Sequence, residues 1–278
     1  KSALLTERLE RKTAAVELLL SQSQNHWEEA FYISLARSFG FSTNSQPFET
    51  MAKSLPLSVL ARHKDNIFQL EALLMGQAGF LEKVEQDEYQ LRLHKEYRFL
   101  QVKYGLKPME LSQWKLLRLR PDNFPTVRLA QFASLIFRSS KLFSVILETH
   151  SGKELRKLFG TEVTEYWQKH YLFGRESSVS TKKMGEKSID ILLINTVIPF
   201  LFAWGKKKND QHRMEEAIRL LEEIKPENNA IIHRWKERGV TCKSAFDSQA
   251  LLQLKKNYCE EKKCLQCRIG HKVLTINK

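Results

Sequence analysis

Apolar side chains recur at helical spacing along most of this chain, and that recurrence restricts the possible fold more than any other feature of the sequence. In the segment LLTERLERKTAAVELLL, residues 4–20, one helix face is formed roughly by Leu4, Leu5, Leu9, Val16 and Leu19. The alternation of apolar and polar residues that is typical of strands is scarce. The sequence therefore predicts an all-α, irregular multi-helix fold, which we expect to form two lobes and to end in a cysteine-rich C-terminal tail.

Start and stop signals locate the helices. Gly40 is placed to end a second helix, and Pro125 fits the first position of another. Helices are predicted at about 27–39, 85–104, 125–137, 142–149, 152–159, 162–171, 211–224, 228–238 and 244–258. In the helix predicted at 162–171, Trp167, His170 and Tyr171 form a stripe on one face, which favours core over a base-stacking surface.

The longest apolar run is IDILLINTVIPFLFAW, residues 189–204. It is short for a bilayer-spanning helix, and Asp190, Asn195 and Pro199 interrupt it. We therefore expect no membrane segment but a buried central helix that is kinked near Pro199.

The polar segment GRESSVSTKKMGEKS, residues 174–188, is the clearest break in the apolar pattern. Its Ser, Gly and Lys residues offer almost nothing to bury, so we interpret it as a polar loop or linker. It would separate an N-terminal helical lobe, residues 1–173, from a C-terminal helical lobe, residues 189–278.

The chain carries a formal net charge of +13, and this excess favours anionic partners such as DNA or RNA. Residues 230–278 hold eleven Lys and Arg against four Asp and Glu, so more than half of the excess lies in the tail. The alternative is a lysine-rich solvated surface.

With four cysteines, three of them clustered, the composition does not suggest a secreted disulfide scaffold. With no leader visible at its first residues, we expect a cytoplasmic protein.

The tail contains YCEEKKCLQCRIGH, in which Cys259, Cys264 and Cys267 are followed by His271. Two cysteines separated by two residues form a knuckle whose thiolates can bind one ion, and His271 lies four residues after Cys267. The spacing predicts a structural zinc site with His271 as the fourth ligand, or with Cys242, which is separated from Cys259 by sixteen intervening residues. An iron–sulfur cluster is the first alternative. The second alternative is that no metal binds and the reduced cysteines pack as small apolar groups.

A proline-bounded turn into the helix at Pro125 carries three arginines, in the segment LRLRPDNFPTVRLAQFA. The guanidinium groups of arginine and the free backbone amides at a helix N-terminus both bind phosphate or carboxylate well. The turn is therefore a candidate anion or nucleic-acid site. Its members would be Arg118, Arg120, Asn123, Arg128 and Gln131. The alternative is that the arginines pair with acids such as Glu71 and tie helices together. Asp122 beside the turn would weaken an anion site.

Several motifs spread along most of the chain resemble an uncharacterised bacterial family, the domain of unknown function 2851. They are FGFSTNSQPFETMA, EALLMGQAGFL, WKLLRLRPDNFPTVRLAQFA, INTVIPFLFAWG, SQALLQLKKNYC and CLQCRIG. The resemblance implies a longer protein whose upstream part has a nuclease-like core. Any catalytic residues of that part would lie outside this chain, so none is carried over.

The chain itself shows no phosphate loop, HExxH, nucleophile elbow or paired-carboxylate motif, and whether it is an enzyme stays open. The leading hypothesis is a helical accessory domain that binds nucleic acid, is supported by a structural metal and acts beside an upstream catalytic module. The first alternative is a protein-interaction scaffold with purely structural cysteines and arginines. The second is an enzyme with an arginine-lined anion pocket.

Overall fold

The computed structural model describes residues 1–82, 87–120 and 123–276, and most of them are helical. The helices are Ser2–Gln22 (α1), Trp27–Phe39 (α2), Ser45–Ser54 (α3), Leu57–Ala61 (α4), Ile67–Gln77 (α5), Glu88–Tyr104 (α6), Pro125–Arg138 (α7), Leu142–Glu148 (α8), Gly152–Phe159 (α9), Glu165–Lys169 (α10), Glu186–Leu192 (α11), Ile198–Lys208 (α12), Gln211–Glu223 (α13), Ala230–Glu237 (α14), Ala245–Leu254 (α15) and Arg268–Ile276 (α16). The two strands within these ranges are His170–Leu172 (β1) and Arg175–Glu176 (β2), which pair antiparallel. The predicted all-α fold is confirmed.

Backbone contacts divide the chain into two compact units. One contains Leu19–Thr196, and the other joins Lys1–Leu18 to Val197–Lys278. These divisions fall at 18/19 and 196/197. The predicted lobe bounds at 173/174 and 188/189 stay a prediction.

The unit Leu19–Thr196 is built around α5. From Leu70 to Gln77 every residue of this helix is buried, and α5 packs against both α6 and α7. Gly76 allows the close approach to α6, because a Cβ at that position would lie 2.1 Å from the Tyr97 ring. Aromatic pairs fill the space around α2, including Phe39 and Phe132 with ring centroids 4.8 Å apart.

The second unit packs α13 against α12 and α15, and α14 against α15. Ile232, Leu251 and Leu252 form a buried cluster there. The first helix contacts α15 and the segment after it through polar side chains: Arg8 donates to Gln249 at 2.5 Å, and Tyr258 donates to Glu7 at 2.8 Å.

The helical stretch Glu186–Lys208 contains the predicted apolar helix. It is long and apolar enough to cross a membrane by composition, but 72% of its most apolar window is buried inside the protein. A π-helical segment, Leu193–Val197, separates α11 from α12. It ends just before Pro199, whose missing N–H already interrupts the α-helical hydrogen-bond ladder.

The helix predicted at 162–171 is too long at both ends, because α10 spans only Glu165–Lys169 and the chain then turns into a β-hairpin. Gly174, with φ of +66°, makes the turn between the strands. Trp167 is 0% and His170 is 9% exposed, which agrees with the prediction that this stripe belongs to the core. Beyond the hairpin, Lys182 is buried, and its ammonium donates to the carbonyls of Trp167 at 2.7 Å and His170 at 2.8 Å.

Candidate functional site

The arginine turn separates into surface and interior parts. Arg118 and Arg120 are exposed, and Arg118 adopts a positive φ of 58°. Pro121 and Asp122, which complete the predicted turn, lie outside the described residues. Exposed guanidinium groups can reach a phosphate, so anion binding by Arg118 and Arg120 stays a prediction.

Arg128 is buried in α7, with 4% of its surface exposed. Its guanidinium donates to Asn123 Oδ1 at 2.7 Å and to Gln131 Oε1 at 2.9 Å, and it lies 4.4 Å from the centroid of the Phe41 ring. Gln131 in turn donates to the carbonyl of Lys182 at 2.7 Å. Asn123 and Gln131, which we expected to face a ligand, therefore hold Arg128 in place.

Glu71 does not take the arginine partner that the sequence suggested. This fully buried carboxylate accepts hydrogen bonds from Tyr89 at 2.6 Å, Thr164 at 2.8 Å and the Trp167 indole at 2.9 Å. Burial raises the pKa of Glu71, although the three hydrogen bonds act in the opposite direction. The network joins α5 and α6 to the start of α10.

Asp87 forms a second network at the start of α6, and sequence reasoning missed it. Its carboxylate accepts from the Gln90 amide at 2.8 Å, the Gly174 amide at 2.7 Å and the Tyr166 hydroxyl at 2.5 Å. The His170 ring stacks on Tyr166 with centroids 4.0 Å apart. A shallow cavity of about 470 Å³ borders these side chains. The contacts tie the hairpin to α6. The available signal was the residue type of Asp87, which is common at N-caps, although the helix was predicted to begin two residues earlier, at 85.

The cysteine tail follows α15 as irregular helical turns. Cys259 ends a π-helical segment, Cys264 begins a 3-10 turn, and Cys267 immediately precedes α16. The first two are exposed and Cys267 is half-buried. Gly270 lies against the Cys264 turn, since a Cβ there would be 2.3 Å from the Cys264 carbonyl oxygen. His271 is exposed on α16.

The tail cysteines and Cys242 lie in different surroundings. Partial burial raises the pKa of Cys259, and the thiolates of Cys267 and Cys264 act in the same direction, whereas Lys255 opposes them. Cys242 is buried elsewhere, in the cluster around Leu251 and Leu252. Within residues 1–82, 87–120 and 123–276, no three His, Cys, Asp or Glu side chains are assembled closely enough to hold a metal.

The cations of the tail face solvent. Of the ten Lys and Arg residues that the structure describes between 230 and 276, only Lys255 is not exposed, and it pairs with Glu260 at 3.2 Å. The exposed ones are Arg234, Lys236, Arg238, Lys243, Lys256, Lys262, Lys263, Arg268 and Lys272. An anionic partner could therefore reach them without rearrangement of the backbone.

A family model with the description "Protein of unknown function (DUF2851)" matches residues 1–230. No curated protein and no solved structure matches the chain. The matched range contains the arginine turn and both carboxylate networks. The cysteine tail, with Cys242 and His271, lies beyond it.

Proposed function

Because the chain belongs to the DUF2851 family of proteins of unknown function, its role has to be inferred from its own surface, and we propose that it is a helical accessory domain that binds nucleic acid. The observation that carries this proposal is the exposure of nine Lys and Arg residues between 230 and 276. Phosphate contacts by such side chains supply most of the affinity of sequence-independent binding. A role beside an upstream catalytic module is part of the proposal and rests on the family resemblance alone.

A structural metal is the second part of the proposal. Cys259, Cys264 and Cys267 would supply three thiolates, and His271 or Cys242 would supply the fourth ligand. Zinc fits this ligand set best, and an iron–sulfur cluster is the alternative. Support comes from the knuckle spacing of Cys264 and Cys267, with Cys259 five residues before the pair and His271 four residues after it. A bound ion would stabilise the tail directly, because its binding energy adds to the free energy of folding.

Nucleic-acid binding is tested by titrating short single-stranded and duplex DNA and RNA at several salt concentrations. The quadruple alanine variant of Lys262, Lys263, Arg268 and Lys272 should bind more weakly. On duplex DNA its log affinity should also depend less steeply on log salt, by roughly 0.9 for each phosphate that it no longer neutralises. The matched control replaces four exposed lysines of the other unit by alanine: Lys64, Lys141, Lys153 and Lys157. An absence of binding at low salt, or an equal loss of affinity in both variants, contradicts the proposal.

The metal is tested by elemental analysis and absorption spectroscopy of protein purified with and without oxygen. We expect one zinc per chain, and a visible absorption band would instead identify an iron–sulfur cluster. Cys264→Ser should remove the metal, whereas His271→Gln and Cys242→Ser distinguish the two fourth ligands by their metal content. Metal-free protein under both conditions, with thiols that react fully in a quantitative assay, contradicts this part.

A further inference from the structure

Helix α6 carries apolar side chains on its exposed side as well as on its buried side. Leu93, Tyr97 and Leu100 point into the core and are at most 1% exposed. On the opposite side three apolar side chains face solvent: Leu91 at 41%, Phe99 at 63% and Val102 at 81% exposed. Leu91, Lys95 and Phe99 follow one another at intervals of four residues, and Val102 comes three residues later. All four side chains therefore lie along one stripe of the helix surface.

The stripe is surrounded by positive charge. Arg92, Lys95, Arg98 and Lys103 are exposed on the same face, and Glu88 at its start is the one exposed acid of α6. Among the described residues, none of these four cations forms an ion pair with a carboxylate. Arg98 donates to the neighbouring Gln101 at 2.8 Å, and Arg92 lies 5.3 Å from the Phe68 ring centroid. The face therefore combines an apolar stripe with cations that a carboxylate can still reach.

Both ends of α6 are capped. The Asp87 side chain caps the first turn of α6, and Gly105 ends the helix in the left-handed conformation. Its 17 residues span about 25 Å at the rise of an α-helix. A partner would meet a preformed surface, so little ordering on this side would oppose binding.

We propose that the outer face of α6 binds an acidic amphipathic helix of a partner protein, with Leu91, Phe99 and Val102 as apolar anchors. Positions i, i+8 and i+11 fall on one face of a helix, so a partner helix lying along α6 would contact all three anchors. Carboxylates of the partner would meet the four cations, including Lys95 in the middle of the stripe. This surface lies in the unit Leu19–Thr196, and the proposal does not depend on nucleic-acid binding by the tail.

Other occupants fit the face less well. A second copy of the chain would bring four cations against four. A single-stranded nucleic acid would find one aromatic platform, Phe99, because Leu91 and Val102 offer no ring for stacking. A bilayer surface favours helices whose apolar and charged faces are segregated, whereas Lys95 lies within the stripe.

Site-specific photocrosslinking in living cells tests the proposal. A benzoylphenylalanine replaces Phe99, and the matched control carries it at Val179, which is 70% exposed in the same unit. We expect an adduct from position 99 that position 179 does not give. Mass spectrometry should map it to an acidic, amphipathic helical segment of a partner. Adducts with lipid, nucleic acid or a second copy, or no adduct specific to position 99, overturn the proposal.

The mapped segment, made as a labelled peptide, then allows measurement with the purified full chain by fluorescence anisotropy. Phe99→Ser should weaken binding by about tenfold or more, as is common for a buried aromatic anchor. Phe137→Ser, at another exposed phenylalanine, should leave it unchanged. The double reversal Lys95→Glu and Arg98→Glu should also weaken binding and reduce its salt dependence. Equal effects of the two serine variants would contradict the assignment to α6.

Discussion

Replacement of Glu71 tests whether a buried carboxylate stabilises the larger unit through its hydrogen bonds or through its charge. In Glu71→Ala, the Tyr89 hydroxyl, the Thr164 hydroxyl and the Trp167 indole lose their acceptor. In Glu71→Gln, the amide oxygen can still accept from Tyr89 and Trp167, while the amide nitrogen can donate to Thr164 after its hydroxyl rotates. The two variants therefore separate the loss of acceptors from the loss of charge.

The contacts set the expected size of the two effects. Trp167 is fully buried, so its orphaned N–H costs about 1–3 kcal/mol. Tyr89 and Thr164 are half-buried and recover part of their loss from water. The cavity adds on the order of 1 kcal/mol. We expect Glu71→Ala to lower the free energy of unfolding by about 3–5 kcal/mol, and Glu71→Gln to change it by less than about 1.5 kcal/mol.

The pH dependence supplies a second test with a definite sign. Burial raises the pKa of Glu71 above the ordinary value of 4.5, so the folded state holds this proton more tightly than the unfolded state. The contribution of this group is fully present below pH 4.5 and is lost as the pH rises through the folded pKa. Relative to wild type, Glu71→Gln should therefore become more stable as the pH is raised across this range.

Urea unfolding, followed by tryptophan fluorescence and near-ultraviolet circular dichroism at several pH values, measures both effects. Trp27, Trp114 and Trp167 lie in the unit Leu19–Thr196, so most of the tryptophan signal comes from this unit. If Glu71→Ala lies within about 1 kcal/mol of wild type, or if Glu71→Gln is as damaging as Glu71→Ala, the hydrogen-bond account is refuted.

Three further changes have defined outcomes. Gly76→Ala places a Cβ 2.1 Å from the Tyr97 ring and should lower the melting temperature clearly, whereas Gly185→Ala, with open space around it, should not. Arg128→Met leaves the buried Gln131 Oε1 without its donor, whereas the exposed Asn123 can bond to water, and should cost about 1–3 kcal/mol in urea unfolding. Burial alone would raise the pKa of Asp87, but its hydrogen bonds outweigh that effect and lower the pKa. Its stabilisation is present above pH 3.8 and is lost as the pH falls through the lower folded pKa, so the advantage of wild type over Asp87→Asn should vanish in acid.

Local signals account for what the sequence predicted well. The helix at 27–39 was predicted with its glycine stop and is found as Trp27–Phe39, with Gly40 following it. The helix at 152–159 is found as Gly152–Phe159. In each, the residues that start or stop the helix lie within a few positions of its ends, so no tertiary contact is needed to place it.

Contacts between distant residues explain what could not be predicted. The partners of Glu71 lie 18, 93 and 96 residues away, so no spacing rule points to them. The hairpin at His170 depends on Asp87, which accepts from the turn amide of Gly174 across 87 residues. Arg128 is different, because its contact with Gln131 follows the i, i+3 spacing and was available from the sequence.

The outer face of α6 was missed for another reason. Apolar residues in a periodic helix are assigned to the core by default, and Phe99 and Val102 do not differ in type from the buried Leu93 and Leu100. Only the packing of α5 against one side of α6 shows which apolar residues are left outside.

The buried ammonium of Lys182 makes two adjacent lysines chemically unequal. Lys183 is exposed, whereas Lys182 donates to two carbonyls and lies 3.8 Å from the Tyr171 ring centroid. An acetylating reagent should modify Lys183 readily and spare its neighbour, and trypsin should cut after the second lysine in preference to the first. The ratio of the two modifications, read from a single peptide, is then an internal gauge of whether this stretch stays docked when a ligand, a partner or a denaturant is added.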